Sequence, residues 1–537
     1  MVQRLFVEYW SHVFLVALAF IAVLAILWRK GRPQIVHRQI ASRNCRVWAW
    51  LSTSIIAVAI AHFAFYLVMP NYADYGEPVI PLLAANFLYG GSVYADWHAG
   101  HAVVGSNYGP YTFIIHSLAL ALAPSIAVSK MVGILFAVAA LYAFFFAVRG
   151  RVPRSAFALC AAMIVLSSFN LHYWFWSRPD SILICLVALG ALLMEKERRS
   201  RLLIWLGLLA GVATNLKLFG SIYLIPLALV CVVTQKWPEL IRSGSLGALL
   251  FLFSVALPFG FDSIDLEPYL SNILLMPNQG FDTVGFRNAL LYGIVIVALP
   301  CIVAVRYRFW LSTDTIVLTA GTVVVTVLVA VLAGKPGGGP PYMLPLIPLA
   351  LYSAALIWSR LPEGEQATVV ELQRVILIGA FVAALPIWAY SWFQMGKQIP
   401  NWESRLERAA ELRGLFAKYT EAEMGHADGK EAAEDGFLRV EKAFLGQVAR
   451  FDYVNYADQR AAGLPVAVLY PLFDNCSVPS WILARSGAKF TGNGYGKPLF
   501  DAGIHLRLIS NYRLTAVGKY YEVWTCKDVH RVTRWPS

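Results

Sequence analysis

Between residues 11 and 394 the chain is built from apolar runs of about 14–23 residues, separated by short polar connectors. Coiled as helices, runs of this length match the hydrocarbon thickness of a bilayer. They lie near 11–28, 47–69, 126–148, 155–168, 181–194, 202–216, 220–233, 245–258, 288–305, 313–333, 343–358 and 374–394. They predict a polytopic α-helical membrane protein with about twelve transmembrane helices, the short runs extending into their flanks. Composition agrees. Of 537 residues, 58% are hydrophobic and 14% charged, whereas a soluble domain carries about 25% charged residues. A soluble enzyme, a disordered chain and a disulfide-rich secreted module are excluded.

The connectors sort by charge. One alternating set holds 19 basic residues, from Arg29, Lys30, Arg32, Arg38, Arg43 and Arg46 through Arg149, Arg151 and Arg154 to Arg360 and Arg374. The other set holds six: Arg4, Lys130, Arg178, Lys217, Arg287 and Lys335. The positive-inside rule assigns the first set to the cytoplasm and the second to the outer side, with both termini outside. Lys and Arg outnumber Asp and Glu 44 to 32, a net +12, but +9 of that belongs to residues 1–394. The excess is a topology signal, so nucleic acid is not an expected partner; the bilayer is.

Residues 111–148 are too long for one span and too short for two. Two spans would also put Arg149, Arg151 and Arg154 on the wrong side. A helix at about 111–123 lying on the outer surface, a break at Pro124-Ser125 and then a true span satisfy both constraints. The first 30 residues read as an uncleaved anchor: no basic region precedes the apolar run, and Trp28-Arg29-Lys30 is not a small-residue cleavage site. Of the seven cysteines, Cys45, Cys160, Cys185, Cys231 and Cys301 lie in or beside spans and read as packing residues. Cys476 and Cys526 stand alone in the tail, and their pairing is open.

Residues 395–537 have a soluble composition, with 19 basic and 16 acidic residues. Residues 402–450 read as amphipathic helix. Leu464–Tyr470 reads as a short buried strand and Tyr520–Thr525 as a final alternating strand. Gly492-Asn-Gly-Tyr-Gly496 reads as an ordinary loop, too short for a nucleotide fingerprint. The expectation is a membrane domain over 1–394 and a small outer α/β domain over 395–537.

Span centres are nearly free of charge and no internal repeat is visible, which argues against a transporter. Polar residues gather instead at the outward edge. The segment from Asn71 to Tyr111 is the most informative, because a 41-residue loop of this kind is usually functional. It holds Asp74 and Glu77, Leu88-Tyr-Gly-Gly91, Tyr94, Asp96-Trp97-His98, His101 and Tyr108-Gly-Pro-Tyr111. His98 and His101 beside Asp96 leave a divalent metal open, although spacing across a glycine-bearing loop is not diagnostic.

In order and spacing these residues resemble the GT-C superfamily of integral membrane glycosyltransferases, which use polyprenyl-phosphate sugars. Glu77 takes the place of the acidic motif in the first outer loop, Leu88–Gly91 that of the turn ending the following helix, and Tyr108–Tyr111 that of a "Tyr-Pro-Pro-Leu" segment. Ser177-Arg-Pro-Asp180 resembles the second acidic motif and Thr214-Asn-Leu-Lys217 the "Thr-Lys-Gly" segment. Pro268–Phe281 resembles the outer-loop helix near the donor. Gly334-Lys335 with Pro341-Tyr342-Met-Leu-Pro345 resembles the "Lys-Leu-Pro-His-Tyr" stretch. The resemblance covers roughly residues 50–395. It departs in the three-residue spacing of Asp74 and Glu77, in the missing basic residue where Asn107 and Tyr108 stand, and in the glycines after Lys335.

The resemblance implies a GT-C-like fold in a bacterial inner membrane, with an outward site and a periplasmic C-terminal domain. A sugar would pass from polyprenyl phosphate to a glycan or lipid acceptor. Glu77 is the candidate base, with a helix N-terminal charge as its alternative reading. Asp74 would support it, and Asp180 would orient the acceptor or hold a metal. Lys217, Lys335, Arg178 and Arg287 are candidates to meet the anionic leaving group, and Tyr108 and Tyr342 to line it. A non-catalytic binder of lipid-linked glycan and a transporter of a lipid-linked sugar are the alternatives.

Overall fold

The computed structural model describes residues 37–74, 76–169, 173–308, 311–362, 378–379, 381–382, 385–393, 396, 399–428, 432–495 and 497–527. The expected span at 11–28, the anchor reading of the first 30 residues and part of the run at 374–394 lie outside the described residues.

The apolar runs fold as helices: His37–Val68, Ile126–Arg149, Ala156–Ser168, Pro179–Lys196, Arg199–Thr214, Ile225–Thr234, Trp237–Ala256, Thr283–Arg306, Thr313–Ala333 and Ile347–Ser359. Among the described residues, six stretches are long and apolar enough to cross a bilayer by length and composition: Trp50–Val68, Ile126–Arg149, Trp237–Gly260, Thr283–Arg306, Thr313–Ala333 and Pro340–Ser359. Several of the other runs make shorter helices, so this measure reaches half of the expected twelve. Two helices are lengthened by the 3-10 turns Gly220–Leu224 and Pro340–Leu346. The helix Trp237–Ala256 exposes Leu246, Leu249, Leu252 and Phe253, an apolar face that is stable against lipid and not against water. The protein is a multi-pass membrane protein.

The region 111–148 resolves into the helix Pro110–Leu122, a break, and the helix Ile126–Arg149. Pro110 occupies the first helical turn, where its missing N–H costs nothing. The Ser125 hydroxyl caps the second helix by accepting the Val128 N–H at 3.3 Å.

Basic residues of the predicted inward set gather at one end of the bundle. Arg151 pairs with Glu195 at 2.8 Å and Arg199 with Asp314 at 2.7 Å. Asp180 and Lys217 lie at the other ends of the helices Pro179–Lys196 and Arg199–Thr214, about 25 Å away at 1.5 Å per residue.

The C-terminal region forms a four-stranded sheet of β1 (Ala422–Met424), β2 (Ser480–Ala484), β5 (Tyr512–Val517) and β6 (Tyr521–Cys526), in the order β1-β2-β6-β5. The strand β1 runs parallel to β2, and the other pairs are antiparallel. A small hairpin, β3 (Asn493–Gly494) with β4 (Lys497–Pro498), stands apart. Cys476 and Cys526 form a disulfide that ties the entrance of β2 to the end of β6.

Two expectations are corrected here. Residues 402–450 are not continuous helix: Trp402–Lys418 is helical, then come β1 and the short helices Ala432–Leu438 and Glu441–Phe444. Charges that look like a solvated helix face are buried as ion pairs, Lys442 with Glu423 at 2.5 Å and Arg439 with Asp452 at 2.8 Å. Residues 464–470 are not a strand but a 3-10 turn, Val466–Leu469, leading into the helix Tyr470–Asp474. Pro465 and Pro471 lack the N–H a ladder needs. One of the two inner strands is Ser480–Ala484, a short apolar run that periodicity alone does not distinguish from buried helix. The final strand agrees with its prediction to within one residue.

The C-terminal sheet region is seated on the loop 69–109. Val103 donates to the Arg450 carbonyl at 2.7 Å, and Asp452 returns a bond to the Val103 carbonyl at 3.3 Å. The Asn86 amide bonds both backbone groups of Ala449 at 2.8 Å. Trp97 and Val103 belong to the same buried apolar cluster as residues of the C-terminal sheet region. Much of the long loop is therefore a docking surface.

Candidate functional site

The helix Trp50–Val68 stops before Pro70, which has no N–H to continue it. The freed carbonyls at this end are taken by Lys130, which is fully buried and donates to Tyr66, Met69 and Asn71 at 2.8, 2.8 and 2.6 Å. Beyond this anchor the chain folds around Glu77. Its Oε1 accepts the backbone N–H groups of Ala73 and Asp74 at 2.9 and 3.0 Å. Its Oε2 accepts the Tyr66 hydroxyl and the Ser177 N–H. Glu77 is fully buried, and that burial pushes its carboxyl up to about 7 against the opposing pull of the Tyr66 hydrogen bond.

Asp74 stands at the rim of the same turn, with 13% of its side chain exposed. Its Oδ1 accepts the Gly76 N–H at 3.1 Å, and its Oδ2 meets the Arg178 guanidinium at 2.7 Å. Arg178 is placed by close backbone packing. A side chain at Gly133 would put its Cβ 2.1 Å from the Trp176 carbonyl, so only glycine lets the helix Ile126–Arg149 touch the turn before Ser177. Arg178 is extended, and Pro179 then starts the helix Pro179–Lys196 with Asp180 in its first turn.

Asp180 is fully buried. Its Oδ1 accepts Lys217 Nζ at 2.6 Å. Its Oδ2 has no hydrogen bond and lies 3.7 Å from Arg178 Nε, which also lacks one. Two buried, opposed polar atoms are thus left just beyond bonding distance. Burial lowers the affinity of Lys217 for its proton, while Asp180 opposes that shift.

Aromatic rings roof the cluster. Lys217 Nζ lies 4.6 Å from the Tyr342 ring centre and 6.0 Å from that of Tyr108. Arg178 lies 4.8 Å from Tyr173 and 5.9 Å from Tyr108. The carbonyls of Tyr108 and Tyr342 accept the hydroxyls of Tyr94 and Tyr223 at 2.6 and 2.7 Å. Gly109 matters here too: a Cβ would fall 2.2 Å from the Asn215 carbonyl oxygen, and its N–H bonds Leu216 at 3.0 Å. The Tyr108 corner thus seats directly on the backbone that presents Lys217.

Lys335 is half-buried in the glycine-rich turn after Thr313–Ala333, and burial lowers its proton affinity. Arg287 is exposed on the helix Thr283–Arg306. The structure therefore joins Asp74, Arg178, Asp180, Lys217, Tyr108 and Tyr342 in one cluster, with Glu77 buried behind it. His98 and His101 are exposed, and Asp96 spends Oδ1 on capping the His98 N–H at 2.9 Å. Among the described residues, no group of three His, Cys, Asp or Glu side chains is placed to hold a metal ion. The sequence reading gave no site role to Tyr66, Ser177 or Tyr173. Tyr66 lies inside an apolar run, and only the fold brings it to Glu77.

No family model matches the chain, and no curated protein matches it. Solved structures do. Two crystal structures of ArnT from Cupriavidus metallidurans, one bound to undecaprenyl phosphate and one in the apo state, share the fold. The TM-scores are 0.54 and 0.53 at 13% identity, over 89% of this chain and 98% and 97% of theirs. The fold is accordingly GT-C-like, as the sequence resemblance implied.

Proposed function

We propose that the protein transfers a sugar from a polyprenyl phosphate donor to a hydroxyl of an envelope glycan or lipid. In this reading residues 1–394 are the transferring membrane unit and 395–537 an α/β domain, both facing the outer side of a bacterial inner membrane at the site. The observation that carries it is the cluster Asp74–Arg178–Asp180–Lys217, built at one end of a fold shared with a protein crystallised with undecaprenyl phosphate. The Cys476–Cys526 disulfide supports the outward assignment, because such bonds persist in oxidising compartments.

The chemistry is a displacement at the sugar C1. The acceptor oxygen forms a bond to C1, the C1–O bond to phosphate breaks, and its electron pair leaves with the lipid phosphate. The hydroxyl proton passes to a carboxylate. Asp74 fits that role better than Glu77. All four acceptor positions of Glu77 are occupied, whereas Asp74 is at the rim with two partners. Glu77 then shapes the turn that presents Asp74. Asp180 holds Lys217 and faces the acceptor through Oδ2. The Lys335 ammonium is not hydrogen-bonded or ion-paired to any described residue and is free to meet the phosphate, with Arg178 and Lys217 as the surrounding positive field. Tyr108 and Tyr342 line the sugar, and Arg287 serves the lipid phosphate from the rim.

The test is transfer from polyprenyl-phosphate sugar donors in membranes, read by mass spectrometry of envelope glycolipids. Asp74→Asn and Asp180→Asn should each abolish the product. Retention of transfer by both variants would refute the site. Donor that crosses the membrane unconsumed would identify a transporter.

A further inference from the structure

We propose that Asp458 of the C-terminal domain is a positioning residue for the anion-binding end of the site, setting the Lys335 loop and the Asn107–Tyr108 corner in register. It makes that domain a working part of the site. The inference rests on the reading above for what Lys335 binds, and on geometry alone for the positioning.

Asp458 lies in the helix Tyr453–Ala461, whose start is fixed by the Asp452 cap on Val454. Its side chain and carbonyl reach three separate segments at the mouth. Oδ2 accepts the Asn107 amide at 3.2 Å, one residue from Tyr108. Oδ1 accepts the Tyr495 hydroxyl at 2.6 Å. The backbone carbonyl accepts the Gln279 amide at 2.8 Å. Tyr495 in turn covers the Lys335 loop: a Cβ on Gly337 would lie 3.3 Å from its hydroxyl. Tyr495 is held for this at φ 52°, a backbone conformation that a tyrosine rarely adopts.

Asp458 is also the carboxylate that acts electrostatically on Lys335, and its field reaches Arg178. No ion pair closes between Asp458 and Lys335. The ammonium is thus oriented by a nearby negative charge without being neutralised by contact, and it keeps its donors for an incoming phosphate. Because the domain is anchored by the Val103–Arg450 and Asn86–Ala449 bonds, Asp458 presses from a rigid seat.

Two measurements on the full-length protein in detergent test this. In the first, amide hydrogen exchange over residues 334–339 should quicken about tenfold in Asp458→Asn and about threefold in Tyr495→Phe, with the spans unchanged. Unchanged exchange in both variants overturns the proposal. In the second, undecaprenyl phosphate binding should weaken about tenfold in Asp458→Asn and in Lys335→Ala, and no further in the double variant. Multiplicative losses would show that Asp458 does not act through Lys335. A wild type that fails to bind undecaprenyl phosphate would sink the transferase reading, and the exchange arm would still decide the role of Asp458.

Discussion

Lys217 meets Asp180 at 2.6 Å with 5% and 1% of their side chains exposed. The two meet at the open end of a helical hairpin, one from the first turn of Pro179–Lys196 and the other from the residues just after Arg199–Thr214. A pair so placed closes the floor of the cluster. Removing one partner of a buried ion pair strands the other, at about 3–5 kcal/mol. Asp180→Asn and Lys217→Met should each lower stability by that order. The double variant should lose less than the sum, since it strands no charge. Thermal unfolding of the four proteins in one detergent checks this; additive losses would mean that the pair is not coupled.

Asp74 and Glu77 should separate in a paired assay. Asp74→Asn is expected to cut turnover by about 10²–10⁴-fold, the usual range for a general base, with a small change in thermal midpoint. Glu77→Gln should lower the midpoint more, because an amide cannot accept four hydrogen bonds through two oxygens. Turnover lost in Glu77→Gln at an unchanged midpoint, with Asp74→Asn still active, would return the base to Glu77.

The pH dependence of stability follows from Glu77. Its carboxyl is raised by burial to about 7 in the folded protein, against about 4.3 in an unfolded chain. The folded state therefore holds the proton more tightly, and the associated stability is full below about pH 4 and fades as pH rises through 7. The thermal midpoint should fall between pH 5 and pH 8, and Glu77→Gln should flatten that slope. A midpoint that rises over the same range, with the variant unchanged, would refute the assignment.

The Cys476–Cys526 bond closes a loop spanning 50 positions. The chain-entropy relation gives about 4 kcal/mol for such a loop. Reductant, or a Cys476→Ser/Cys526→Ser double variant, should lower the unfolding midpoint of the C-terminal domain and leave the helical bundle in place. Limited proteolysis confined to residues 399–527 under reducing conditions is the readout. Equal resistance with and without reductant would contradict it.

Much of this was legible in the chain. The apolar runs, the break near Pro124 and the sorting of charge to two ends needed only helix geometry and composition. So did the grouping of Asp74, Arg178, Asp180, Lys217 and Lys335 on one side of the bundle. Segment 402–450 was not legible, because its charges look solvated in sequence and are paired in the fold. The Leu464–Tyr470 run misled for a simpler reason: its apolar content outweighed Pro465 inside it and Pro471 just after it, which deny it a ladder.

The sequence by itself determined that the chain crosses a membrane repeatedly and which connectors share a side, because both depend on local properties: run length, hydropathy and the count of basic residues. Only the tertiary structure decided which carboxylate is enclosed and which is presented. Glu77 and Asp74 are three residues apart in similar surroundings. What separates them is Tyr66 and Ser177, reached across 11 and 100 positions of chain. The same holds for Asp458, which lies 351 residues from Asn107 and meets it at 3.2 Å. Hydrogen bonds and burial act through space, and the spacing of residues along a chain carries no record of them.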